Sequence, residues 1–194
     1  RQRQMCIRDR AALARWTAGL DVKDPNVEHH LLEALWLTWG LNRVDEALLH
    51  RLMDSKDYRV RAACVDVIRY NGHRLADQTE LLKKAARDPH GRVKLCAIVA
   101  ATWIGKDSGL AVIAEAERVG SEGLVHGDIR YYAATAHGLL ARPDRALQAL
   151  ESALQAGWRH PWWVHLDWNL QGLQQDSRFA DWLARLGPLS EPPG

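Results

Sequence analysis

Nowhere in this chain of 194 residues does an apolar run approach the roughly 18 residues of a membrane-spanning helix. The charged opening is followed by no apolar stretch with a small-residue cleavage site, which excludes a secretory signal there. The three cysteines, Cys6, Cys64 and Cys96, form neither a Cys-x-x-Cys pair nor a disulfide framework, so cysteine usage leaves the redox compartment open. His-x-x-x-His spacing, a glycine-rich phosphate loop and a nucleophile elbow are all missing, and with them the common metal, nucleotide and acyl-transfer signatures. "WIGKDSG" at 103–109 looks like a phosphate loop, but it lacks the first glycine at the required spacing and follows no strand. Long alternating runs of β-branched residues are absent too, which removes the usual signal for a sheet.

The opening "RQRQMCIRDR" carries four arginines and one aspartate, a net charge of +3. Read back into codons, Met5-Cys6-Ile7-Arg8-Asp9 gives ATG TGT ATA AGA GAC, which resembles the transposase adapter used to prepare sequencing libraries. The preceding Arg-Gln-Arg-Gln fits the same adapter. Residues 1–10 are therefore expected to be translated adapter without structure, with the natural gene continuing upstream of Ala11. The formal charge of the chain is +2, so removing +3 leaves −1 on residues 11–194. A near-neutral chain gives no electrostatic reason to expect a nucleic acid or an anionic membrane as partner.

From Asp24 onward, apolar residues fall at helical spacing in segments divided by short turns. Leu31, Leu32, Leu35 and Trp36 make one such face; Leu48, Leu49 and Leu52 another. Val60, Ala63, Cys64 and Val67 follow, then Leu81, Leu82 and Ala85. Turn signals lie between: "DPN" at 24–26, "NGH" at 71–73 and "DPHG" at 88–91. The pattern predicts an all-α fold with short connections. It also repeats. Val27, Val60 and Val93 stand 33 residues apart, as do Leu48-Leu49 and Leu81-Leu82, and Arg59 and Arg61 recur as Arg92 and Lys94. A step shared by both helices of a pair makes each unit one helix hairpin, which must stack on neighbours to bury its stripe.

"KDYRVRAACVDVI" and "DPHGRVKLCAIVAA" resemble the second helix of HEAT repeats, where an acidic turn precedes a Val-Arg/Lys pair and an alanine-rich helix. The resemblance spans about residues 22–118; the first unit departs from it, with Asn26 and Glu28 in place of the basic pair. More narrowly, the segment is similar to the HEAT repeats of large dehydrogenase/cytochrome proteins of planctomycete-type bacteria. Those proteins join a propeller, helical repeats and a cytochrome c domain. This chain has no propeller segment and no Cys-x-x-Cys-His haem site, so their redox chemistry is not carried over. From about Gly120, "YYAATAHGLLARPDRALQALESALQAG" resembles a tetratricopeptide hairpin joined at "ARPDR". The resemblance implies that Ala134, Ala146 and Ala153 let the helices approach while Leu150 fills the gap. His137 stands where an aromatic is usual and Trp158 where proline is usual. "GWRHPWWVHLDWNLQGLQQDSRFADWLARL" then resembles a closing turn and helix, and "LSEPPG" reads as a disordered tail.

The expected architecture is an α-solenoid of stacked hairpins, HEAT-like over 11–118 and closed by a tetratricopeptide-like cap over 119–187, with 188–194 disordered. Two groups of residues are candidates for partner contact. Arg59, Arg61, Arg92 and Lys94 form a repeated basic ladder, which either bonds the acidic turns at Asp24, Asp57 and Asp88 or lines a groove for an acidic ligand. Trp158, Trp162, Trp163, Trp168 and Trp182 crowd into 25 residues, which suits a buried cap or an exposed surface for a peptide or sugar. No catalytic residue, metal or cofactor is expected. His29 and His30 point about 100° apart on a helix, and His160, His165 and Asp167 share only a turn. The leading functional expectation is a non-enzymatic scaffold binding protein or peptide, with helices 59–68 and 92–101 lining its concave face. A repeat module of a larger dehydrogenase-like enzyme comes next. A helical-repeat DNA-glycosylase or lyase comes third and would need a buried acid among aromatics, for which Asp167 is the candidate. Oligomeric state and compartment, cytoplasmic or periplasmic in a bacterium, stay open.

Overall fold

The computed structural model describes residues 2–40, 43–118 and 126–187. Among them the regular structure is entirely helical, and none of the helices is long and apolar enough to cross a membrane. The chain forms two compact units, residues 1–78 and 79–194. The expected change of repeat type at 118/119 is a different property from this division. The expected tail, 188–194, and the start of the cap, 119–125, lie outside the described residues.

In the first unit α1 (Gln2–Ala18) packs on α2 (Val27–Gly40), which also contacts α3 (Glu46–Leu52) and α4 (Tyr58–Asn71). Residues 1–10 were expected to be unstructured; instead α1 runs through them from Gln2. Arginine, glutamine, methionine and alanine are all strong helix formers, which accounts for the continuous helix whatever the origin of the segment. The apolar stripes sit inward as the spacing requires: Leu31, Leu32 and Leu35 of α2, Leu49 and Leu52 of α3, and Val60, Cys64 and Val67 of α4 are buried. Trp36 departs from its expected face and is partly exposed, while Ala34 and Thr38 take the inward positions. Thr38 can sit there because its hydroxyl donates to Leu35 O at 2.7 Å and accepts from Asp45 N at 3.2 Å.

The second unit holds most of α5 (Gln78–Ala86), then α6 (Gly91–Ala101), α7 (Lys106–Arg118), α8 (His126–Leu139) and α9 (Pro143–Gln155). It ends with α10 (Pro161–Leu166), a 3-10 segment (Trp168–Leu173) and α11 (Ser177–Leu186). Helix α6 packs on α7 and α8, and α8 lies most closely along α9. That closeness follows from side-chain size. Ala133, Ala134, Ala146 and Ala153 are fully buried, and Leu150 occupies the space between the helices. Gly138 serves the same end on another face of α8: a Cβ there would stand 2.6 Å from Asn169 O, so only glycine lets the 3-10 segment approach.

Candidate functional site

The basic ladder is four residues in four different settings. Asp57 caps α4, accepting from Arg59 N at 2.8 Å, and the Arg59 side chain closes on the same carboxylate, with Nη2 2.7 Å from Oδ2. The guanidinium holds the Asp57 carboxyl below the usual carboxylate range, and the carboxylate raises Arg59 in return. Arg61 turns to the chain just before its helix, donating to Ser55 O at 2.8 Å and Lys56 O at 3.2 Å. Both arginines therefore bind the turn that precedes their own helix. Arg92 is exposed, and its backbone N–H is capped by His90 Nδ1 at 3.1 Å. Lys94, the counterpart of Arg61 one step on, is 0% exposed. Burial pushes its ammonium down, while the charge of Asp88 works against that shift and Arg130 adds to it. Lys94 is an interior residue and leaves the candidate surface.

The tryptophans divide in the same way. Trp158 is 5% exposed and stacks on Tyr131 at 4.1 Å with an interplanar angle of 10°. Trp182 continues the column, stacked with Phe179 at 6.0 Å, and satisfies its indole N–H on Leu150 O at 3.0 Å. Trp158, expected among the partner contacts, is thus part of the core with Trp182. Trp162 is half-buried against Trp163, whereas Trp163 is 49% and Trp168 81% exposed. Leu166 is exposed beside them.

Asp167 joins these two halves. Its Oδ1 accepts from Asn169 N at 2.9 Å and its Oδ2 from the Tyr131 hydroxyl at 2.8 Å. The Tyr131 phenol is pushed well above its ordinary value, first by burial and then by this bond. The carboxylate so caps the 3-10 segment and ties it to α8. An open cavity of about 290 Å³ adjoins the segment, lined by His165, Leu166, Asp167, Trp168, Gln171 and Gln174.

Some exposed side chains had no sequence signal attached to them. Leu37, Tyr70 and Trp103 are each exposed and stand 33 residues apart, the first two in the last turns of α2 and α4 and the third just past the end of α6. Comparing position 37 with 70 and 103 along the repeat would have found them. Tyr70 is stacked with Trp39 at 5.5 Å, and the Arg69 guanidinium lies 5.0 Å from its ring centre. His137 is buried, with no hydrogen-bond partner on either ring nitrogen among the described residues and Nε2 3.4 Å from Glu117 Oε1. Among the described residues no group of three His, Cys, Asp or Glu side chains converges as a metal site would require.

These helices and surfaces define an all-α protein with buried aromatic columns and a few exposed aromatic positions. No protein-family model matches the chain, nor does any curated protein or solved structure.

Proposed function

We propose that this chain is a non-catalytic helical-repeat scaffold that binds a protein or peptide. In this reading HEAT-like hairpins over 11–118 stack as an α-solenoid and a tetratricopeptide-like unit over 119–187 closes it. One observation carries the proposal. Helices α2, α4, α6 and α8 begin at residues 27, 58, 91 and 126, close to the 33-residue step of the sequence; α2 packs on α4 in the first unit and α6 on α8 in the second. Contact between every second helix is what a stacked array of hairpins requires. The repeated exposure of Leu37, Tyr70 and Trp103 supports binding through contacts distributed along the repeats. Arg59 and Arg61 stand at the start of α4 and Arg92 at the start of α6, and each would add a polar contact within its own unit. Trp162, Trp163 and Trp168 offer a separate aromatic surface.

Asp167 favours this reading over a glycosylase or lyase. Both of its oxygens are engaged in holding backbone and Tyr131, as a structural cap's would be. The sequence resemblance of residues 22–118 supports a second version, in which the bound partner is another domain of a larger dehydrogenase-like protein.

A peptide-display selection against the intact chain tests the proposal. Selected peptides are expected to bind about tenfold more weakly to Tyr70→Ser or Trp103→Ser, since exposed aromatics carry a large share of such contacts. A selection that yields no binder, or binders indifferent to both substitutions, would refute it.

A further inference from the structure

The peptide reading takes Trp168 only as an exposed aromatic, whereas the construction of the cavity beside it points to a different ligand. A 3-10 helix has three residues per turn, so side chains three apart lie in line. Leu170 and Leu173 form one such row and are buried in the core of the second unit. Trp168, Gln171 and Gln174 form another row at the same spacing, and all three are exposed and line the cavity. The row is held in place from beneath. Besides the two buried leucines, Asp167 is bonded to Tyr131, and Gly138 admits Asn169 O to α8. The indole is thus presented to solvent by a fixed turn.

The chemistry of the lining narrows what can occupy it. The side chains of His165, Gln171 and Gln174 make no hydrogen bond to any described residue, leaving one imidazole and two amides free beside the indole face. Each amide offers donors and an acceptor, as vicinal hydroxyls do in return. Among the described residues the lining contains no Lys or Arg, and its one carboxylate, Asp167, is already engaged on both oxygens. A nucleotide would bring a phosphate to a site where no described Lys or Arg stands to meet it. The fitting ligand is uncharged, with a flat apolar face and a hydroxylated edge. At about 290 Å³ the cavity is near the lower end of ligand clefts, roughly 300–1,000 Å³, which suits a single ring.

We infer that this groove binds a pyranose unit of a neutral glycan, its C–H face on the Trp168 indole and its hydroxyls on the Gln171 and Gln174 amides. The site stands independently of the scaffold reading and survives if no peptide partner exists.

The intact chain is titrated with hexasaccharides of cellulose, chitin, xylan and mannan, followed by calorimetry and tryptophan fluorescence. An oligogalacturonate, a single-stranded thymidine oligomer and a proline-rich peptide serve as comparators. At least one neutral hexasaccharide is expected to bind saturably. Trp168→Ala is expected to weaken it by about tenfold or more, and the Gln171→Ala, Gln174→Ala double variant by several-fold. Val22→Ala, at an exposed residue outside the groove, is expected to leave affinity unchanged. Because Trp168 is exposed, the Trp168→Ala variant keeps its melting temperature, so loss of binding is separable from loss of fold. The inference is overturned if none of the four neutral sugars binds, if binding survives Trp168→Ala, or if a comparator alone binds in a Trp168-dependent way.

Discussion

Trp158 and Trp168 are ten residues apart in sequence, yet one is 5% and the other 81% exposed. Their substitutions should differ accordingly. Trp158→Ala removes a ring stacked on Tyr131 and is expected to cost about 3–5 kcal/mol in denaturant unfolding. Trp168→Ala should stay within about 0.5 kcal/mol of the parent. Equal losses would mean that the burial pattern is wrong. Cys64 makes a second case. It is fully buried, and burial pushes its thiol up to about 12 from 9.0. In the folded chain the thiol stays protonated where the unfolded thiol ionises. Its contribution to stability is therefore complete below pH 9.0 and declines as pH rises from there towards 12. Alkylation of Cys64 at pH 8 should proceed only as fast as the protein opens; labelling as rapid as in denaturant would contradict this. Neither result follows from residue type alone. Arg61 and Lys94 hold equivalent places in the repeat, and only the second is enclosed, because burial belongs to the neighbours a position acquires.

Helix ends were more legible. The acidic turns at Asp24, Asp57 and Asp88 mark starts of helices, and Asp57 caps α4 through Arg59 N. One step later His90 holds the cap position of α6, accepting through a ring nitrogen. His90→Asp restores the better cap beside Arg92, as in Asp57–Arg59, and is expected to stabilise by about 0.5–1 kcal/mol. A lowered melting temperature would show that His90 serves some other purpose. The turn between α8 and α9 offers a comparable test. Ala141 has φ 53°, a left-handed conformation that costs a side chain energy and suits glycine after a helix. Ala141→Gly should raise stability by up to about 1 kcal/mol, read from the unfolding midpoint. That strain was invisible in "ARPDR", which announces a turn without its dihedral angles. The apolar stripes of α2 to α5, by contrast, could be read in advance, since a helix that buries one face repeats its apolar residues every three or four places.

Across the molecule, the nine tryptophans report on both compact units. Acrylamide quenching should separate a protected population, Trp158 and Trp182, from an accessible one that includes Trp103, Trp163 and Trp168. Uniform protection would remove the exposed aromatic surfaces on which both proposals rest. The all-α class and the helices α2 to α5 were written in the chain, because helical periodicity and turn residues are local properties. Tight approach of α8 to α9 was readable too, through its alanines. The fate of each polar or aromatic side chain was not. Lys94 went inside, Trp168 stayed out, and Asp167 met Tyr131 across 36 residues. Such outcomes depend on contacts between segments distant in sequence, and a local pattern holds no record of which segment will arrive to cover a given face.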